Sequence, residues 1–390
     1  MKRFLIGILS CLLLSGCAGG DLPEEETPPA PEKAALGPAP AGVTVELEHE
    51  VYDPSLTRYT YFLRNGTEES LEFGEEYTIQ RQKDGAWQDL TQRENTGFVA
   101  IGYTLAPGGT MALTCTLDLY QETPEPGRYR LVKPVGGGAA TAEFELGESP
   151  YTAERPYGLA PLEELPPHYS ASSAAATDVV FTNGGVKNAQ GTADFLEKVR
   201  LNTPCQLRTV QEYSESWPMV IDVIYENDHF LWRMASDGAV TEKRFSYVVT
   251  DGTDLYLSNG ADWAGTVGYE SDKAFLVPPG TGAALVETVK AMTDARLAGN
   301  TARYRIWSED GTWDACLTET PTEFGVGWQK PGQGARGSLY DLQDWDGLET
   351  GITGLAWQED GTLLLTCETL DGSRRLAFDP EGEKLTALGR

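Results

Sequence analysis

Between Val43 and Leu146, turn signals cut the chain into apolar runs too short for helices, and nothing else in the sequence restricts its fold so strongly. The runs are Val43 to Glu48, Arg58 to Arg64, Glu76 to Gln80, Phe98 to Leu105, Met111 to Leu117, Arg128 to Val132 and Ala142 to Leu146. Asn65-Gly66, Asp84-Gly85, Pro107-Gly108 and Pro126-Gly127 lie between them, supplying the fixed or positive φ that tight turns require. In Tyr59-Thr60-Tyr61-Phe62-Leu63 and Tyr129-Arg130-Leu131-Val132, large apolar residues recur every second position, as a strand with one buried face demands. The pattern predicts an antiparallel β-sandwich over 43–147.

The same segment carries a resemblance. Phe73-Gly74-Glu75-Glu76-Tyr77-Thr78-Ile79, Asp84-Gly85-Ala86-Trp87, Leu105-Ala106-Pro107-Gly108 and Pro126-Gly127-Arg128-Tyr129-Arg130-Leu131 together resemble a bacterial immunoglobulin-like (Ig-like) domain of Gram-positive lipoproteins. That resemblance implies a sandwich module without catalytic residues, with Trp87 and Tyr129 as packing.

The amino terminus reads as a lipoprotein signal. Lys2 and Arg3 precede an apolar run from Phe4 to Leu14, too short to stay in a bilayer as a spanning helix, and the run closes on Leu14-Ser15-Gly16-Cys17. Residues 1–16 are expected to be removed and Cys17 to carry a diacylglyceryl thioether, as the lipoprotein resemblance implies. An ordinary secretory signal and an uncleaved anchor are the alternatives, and each still exports the chain. Two acyl chains anchor far more firmly than one. The expected address is the outer face of a bacterial cytoplasmic membrane, reached through the N-terminal lipid. Residues 17–42 then form a tether, where Pro23, Pro28, Pro29, Pro31, Pro38 and Pro40 favour extended backbone and Glu24-Glu25-Glu26 resists collapse.

Charge narrows the partners. Acidic residues number 59 against 30 basic ones, and loss of Lys2 and Arg3 widens the gap. Such a field repels phosphate backbones and anionic headgroups, which excludes nucleic acid and leaves lipid as the means of attachment.

Residues 148–176 read as a second linker, with Pro150, Pro156, Pro161, Pro166 and Pro167 and a Ser/Ala run. Beyond it, 177–265 reads as an α+β domain. A helix over Thr192 to Arg200 places Phe195, Leu196 and Val199 on one stripe, and strands follow from Gln206 to Tyr213, Met219 to Tyr225, Phe230 to Met234, Phe245 to Thr250 and Leu255 to Leu257. The order Asp178-Val179-Val180, Gly184-Gly185-Val186-Lys187-Asn188, helix, Tyr213, Pro218, Tyr225 is similar to an uncharacterised domain of secreted Firmicutes proteins; Glu215-Ser216-Trp217-Pro218 departs from that family's Glu-Gly-Asp-Pro. Residues 266–390 repeat the plan, with a helix over Ala283 to Leu297 and a meander turned by Asp310-Gly311, Asp360-Gly361, Asp371-Gly372 and Glu381-Gly382. The whole is mainly β with α+β: an Ig-like β-sandwich followed by one or two helix-on-antiparallel-sheet units. Tyr213-Ser214-Glu215 and Trp307-Ser308-Glu309 hint at duplication.

Chemistry is sparse. Pro278-Pro279-Gly280-Thr281-Gly282 lacks the lysine and hydroxyl of a phosphate loop, since Ala283 and Ala284 stand there. Asp344-Trp345-Asp346-Gly347 lacks the first and last ligands of an EF-hand loop, and His49, His168 and His229 show no zinc spacing. No serine stands in a GxSxG elbow or at SxxK spacing. No catalytic residue, metal or cofactor is therefore assigned. Cys115, Cys205, Cys316 and Cys367 are too dispersed for a disulfide scaffold; Cys316 and Cys367 either pair or pack as buried thiols. Among nine tryptophans, Trp263, Trp328 and Trp345 lie in Gly/Asp-rich, loop-like sequence and are the candidates for stacking on a glycan or anchoring an envelope protein. The expected function is non-catalytic binding or a structural role at the envelope. The alternatives are an extracellular glycan hydrolase using paired carboxylates, and a sensor or inhibitor engaging partners through strand edges.

Overall fold

The computed structural model describes residues 36–213, 217–236, 239–261, 273–299, 302–319, 324–330, 337–338, 349–369 and 372–388, which form a mainly β chain. In the first unit, Val43–Leu47, Arg58–Asn65 and Thr110–Thr116 make one sheet. The other is built on Thr78–Lys83, Ala86–Asp89, Gly127–Val135 and Gly138–Leu146. Tyr59, Tyr61 and Leu63 point inward from a strand whose burial alternates residue by residue, and they meet Tyr129, Leu131 and Phe144 from the opposite sheet. Asp84 and Gly85 both take positive φ, the geometry of a two-residue hairpin turn. Lys133 is wholly buried, its ammonium donating to the carbonyls of Gly74 and Glu76 and so fixing the loop before Thr78. The run Phe98 to Leu105 departs from expectation. Only Tyr103–Leu105 forms a strand, paired with Leu71–Phe73, while Val99 and Ile101 are exposed.

In the second unit a helix, α1 (Gln190–Arg200), crosses between Val179–Thr182 and Cys205–Glu212, and these two strands run parallel. The expected all-antiparallel meander is thus a mixed sheet. A parallel neighbour needs a crossover long enough to return the chain, and α1 supplies it. Met219–Glu226, His229–Ser236 and Ala239–Phe245 extend the sheet antiparallel. The second helix, α2 (Val286–Gly299), was expected to open the C-terminal unit; instead Val286 and Val289 join Phe195, Leu196, Val223 and Phe230 in the core of the second. Tyr247–Thr250, Leu255–Ser258 and Lys273–Phe275 form a small sheet beside it.

The third unit is two four-stranded antiparallel sheets: Ala302–Trp307, Asp314–Glu319, Phe324–Gln329 and Gly337–Ser338, then Glu349–Trp357, Leu363–Thr369, Gly372–Asp379 and Lys384–Leu388. They share one core. The two sheets carry the same turn, Trp307-Ser308-Glu309-Asp310-Gly311-Thr312 and Trp357-Gln358-Glu359-Asp360-Gly361-Thr362. In each, the aspartate accepts from the threonine amide and the glycine takes positive φ. The internal repeat therefore lies here, whereas in the hint at Tyr213-Ser214-Glu215 residues 214 and 215 lie outside the described residues. Cys316 and Cys367 are both buried as thiols, Cys367 within this core.

Residues 148–176 are not a free linker. They run as a series of turns, and Leu162, in a short 3-10 turn over Leu162–Glu164, is buried against Val180, Val210 and Val220 on the outer face of the second sheet. Ser149 donates to the Val51 carbonyl, Tyr157 to Glu226 and Tyr169 to Asp178. Lys198 on α1 also reaches Glu48 of the first unit at 2.8 Å. The segment is a strap across both units.

Candidate functional site

The strap and the sheet beneath it enclose a groove of about 580 Å³. Leu165, Pro166 and Pro167 form one wall, Val220, Ala235 and Val240 the other, and Trp217 with Pro218 closes the end. Proline and β-branched residues make these walls stiff, because their backbone or χ1 angles are already restricted. Trp217 is 76% exposed, and its ring lies 6.2 Å from that of His168 at an interplanar angle of 26°. His168 holds a left-handed φ of 65°, uncommon for a residue with a side chain. Below, Tyr169 donates to Asp178, which also accepts from the Ala175 amide. The arrangement is an apolar slot with an aromatic lip, suited to holding an apolar or sugar face; its described lining pairs no nucleophile with a base.

The residues singled out from sequence fall elsewhere. Trp328 is only 5% exposed and packs on Phe378, and a Cβ added to Gly337 would fall 2.5 Å from its ring, so it is a core residue and offers no recognition face. Its cross-strand partner Gly337 makes room for the indole. Trp263, Trp345 and Cys17 lie outside the described residues. Trp217 escapes a sequence reading because Glu215-Ser216-Trp217-Pro218 has the look of an interior turn; the flanking Pro218 and the Pro166-Pro167 pair are the available signals.

The proline-glycine turn at Pro278 is fully used by the protein itself. The Gly280 amide donates to the Asp254 carboxylate and Thr281 bonds back to the Pro278 carbonyl, leaving no anion cradle. Among the described residues, no three His, Cys, Asp or Glu side chains are grouped to hold a metal. No described helix is long and apolar enough to cross a membrane.

Two histidines are unusual in their burial. His49 stacks on Tyr151 with ring centroids 3.5 Å apart, where the first unit meets the strap. Burial lowers its pKa to about 4, with Glu48 opposing and Lys198 reinforcing the effect. His229 stacks on Trp307 at 4.1 Å between the second and third units, and burial followed by the Arg244 charge lowers it to about 4 as well.

Comparison with known proteins reaches only part of the chain. No curated protein matches it. Among solved structures it is similar to the archaellum periplasmic stator protein FlaG from Sulfolobus acidocaldarius, at 14% identity over 27% of this chain and 99% of that one, with a TM-score of 0.19. It is also similar to the sporulation control protein Spo0M from Bacillus subtilis, at 10% identity over 66% of this chain and 98% of that one, TM-score 0.19. A candidate 6-phosphogluconolactonase from Bacteroides uniformis shows 12% identity over 83% and 82% of the two chains, TM-score 0.19. Overlaps of that quality carry no argument about fold or activity. The bacterial Ig-like domain family does match, over residues 39–149, and the first unit of this chain is such a domain.

Proposed function

We propose that this protein is a lipid-anchored, extracytoplasmic binding protein of the bacterial envelope, without a catalytic step of its own, and that the Trp217 groove receives its partner. The carrying observation is the exposure of Trp217 at the mouth of a stiff apolar slot. An indole left in water on one side of a preformed groove is the usual form of an interface anchor. The Lys2-Arg3 start and the Leu14-Ser15-Gly16-Cys17 ending support the anchor, and the acidic composition supports a surface that stands off anionic lipid.

Two measurements test the two halves. Mass spectrometry of the protein purified from membranes is expected to find acyl mass on Cys17 as the first residue, and Cys17→Ser to release the chain from the membrane fraction; an intact Met1 in cytosol overturns the anchor. Binding to isolated cell-wall preparations is expected to weaken by about tenfold or more in Trp217→Ala, the scale of an anchoring aromatic. Unchanged binding removes the groove from the reading, and solubilisation of the wall by the purified protein would replace it with glycan hydrolysis.

A further inference from the structure

The outer face of the second sheet carries a second pocket, independent of the Trp217 groove. Cross-strand pairing sets Gln206, Ile224, Leu231 and Arg244 side by side in one row. The inner face of the same sheet is core, so this row would ordinarily face water. Here the strap at Pro156 to Pro161 passes above it, and the turn at Asp310-Gly311 of the third unit closes its side, leaving a cavity of about 420 Å³. That is the size of a small-ligand site.

Most charges in the cavity are already answered. Arg208 grips both oxygens of Asp222, and Gln206 donates to the same carboxylate. Arg233 is held by Glu163 and Glu242, Arg155 by Glu164, and Glu226 accepts from Tyr157. Asp310 accepts from Ser308 and Thr312. Arg244 differs. Its guanidinium donates to the Glu309 carbonyl at 3.2 Å and faces Nε2 of His229 at 3.3 Å, with no carboxylate oxygen of the described residues within 4 Å. Guanidinium only donates, so Nε2 must accept and the His229 ring must be neutral. Neither contact supplies the negative charge that a half-buried guanidinium attracts. A cation is therefore fixed on a turn and a neutral ring at the end of an aliphatic floor, with the Asp310 carboxylate nearby but none in contact.

We propose that this cavity binds a small organic carboxylate, its anionic end on Arg244 and its aliphatic body on Ile224 and Leu231. A carboxylate matches the planar fork of the guanidinium, and charge-assisted bonds of this kind are the stronger ones. Inorganic anions match the charge but leave the floor uncovered; amides cover the floor but lack the charge.

Butyrate and butyramide, identical in their aliphatic portion, separate these contributions. Saturation-transfer NMR on the full-length protein is expected to detect millimolar butyrate, with butyramide at least about tenfold weaker. Arg244→Gln is expected to weaken butyrate by the same factor and to abolish the difference between the two probes. Arg244→Lys should retain part of the preference, and Arg128→Gln, on the first unit, all of it. A thermal midpoint for Arg244→Gln near that of the parent shows that the loss is local; if the midpoint falls, the lysine variant decides. Equal binding of acid and amide to the parent, equal binding of butyrate by parent and Arg244→Gln, or no butyrate binding by the parent overturns the proposal. None of these outcomes bears on wall binding through Trp217.

Discussion

Replacing Arg208 with methionine is expected to destabilise the second unit by about 3–5 kcal/mol, the usual cost of stripping one partner from a buried ion pair. Arg208 and Asp222 are only 3% and 1% exposed on directly paired strands, joined through two hydrogen bonds of 2.7 and 2.6 Å. Burial already pushes the Asp222 carboxyl above the ordinary carboxylate range, while Arg208 and Gln206 pull the other way. Without the guanidinium, either a bare charge or a protonated acid remains under the strap, and the Ala160 carbonyl loses its donor. Arg208→Met with Asp222→Leu should regain most of the loss, because two apolar side chains leave no unmet charge. By contrast Arg128→Gln, which breaks an exposed pair with Glu143, should cost less than about 1 kcal/mol. Denaturant unfolding of the four proteins checks the order, and a double variant as unstable as Arg208→Met would refute this account of the pair.

Stability is also expected to fall as pH drops from about 6.5 through 4. His49 and His229 are held neutral in the folded chain, with pKa values lowered from 6.5 to about 4. Between those values the unfolded chain binds protons that the folded chain refuses, so unfolding gains free energy as acid is added. The contribution is complete above the unfolded pKa and is lost as pH falls through the folded one, on the order of 3 kcal/mol for each imidazole. Because His49 stacks where the strap meets the first unit and His229 where the third unit meets the second, protonation should loosen the junctions first. Chemical denaturation between pH 7 and pH 4 is expected to show a shallower decline in His49→Gln and His229→Gln than in the parent. Parallel curves for all three proteins would place the acid sensitivity in the carboxylates.

The sandwich was legible because its signals are local. Alternation at Tyr59, Tyr61 and Leu63 and the paired positive-φ turn at Asp84-Gly85 need no distant partner to be read. Phe98 to Ile101 failed because β-branched and aromatic residues make a strand only where another strand offers hydrogen bonds, and none of the described strands does. The helix of Val286 to Gly299 was found, but its allegiance was not: chain order suggested the C-terminal unit, while packing of Val286 and Val289 decided for the second. Trp328 was misplaced and Trp217 passed over for a related reason. Gly and Asp neighbours suggest exposure, yet Gly337 makes room for the Trp328 ring in a core, and Trp217 stands in water beside a proline that sequence could not place. The Arg244 pocket was hidden altogether, because its floor, roof and side come from segments scattered between Pro156 and Gly311.

The strap has a mechanical consequence. Domains joined by slack peptide swing freely, and tension on one is spent in the slack. Here Ser149 is pinned to Val51, Leu162 is sunk in the second sheet and Lys198 grips Glu48, so a pull at the amino end is delivered directly to α1 and the sheet beside it. The two units share one load path, and whatever strains the first is felt by the second.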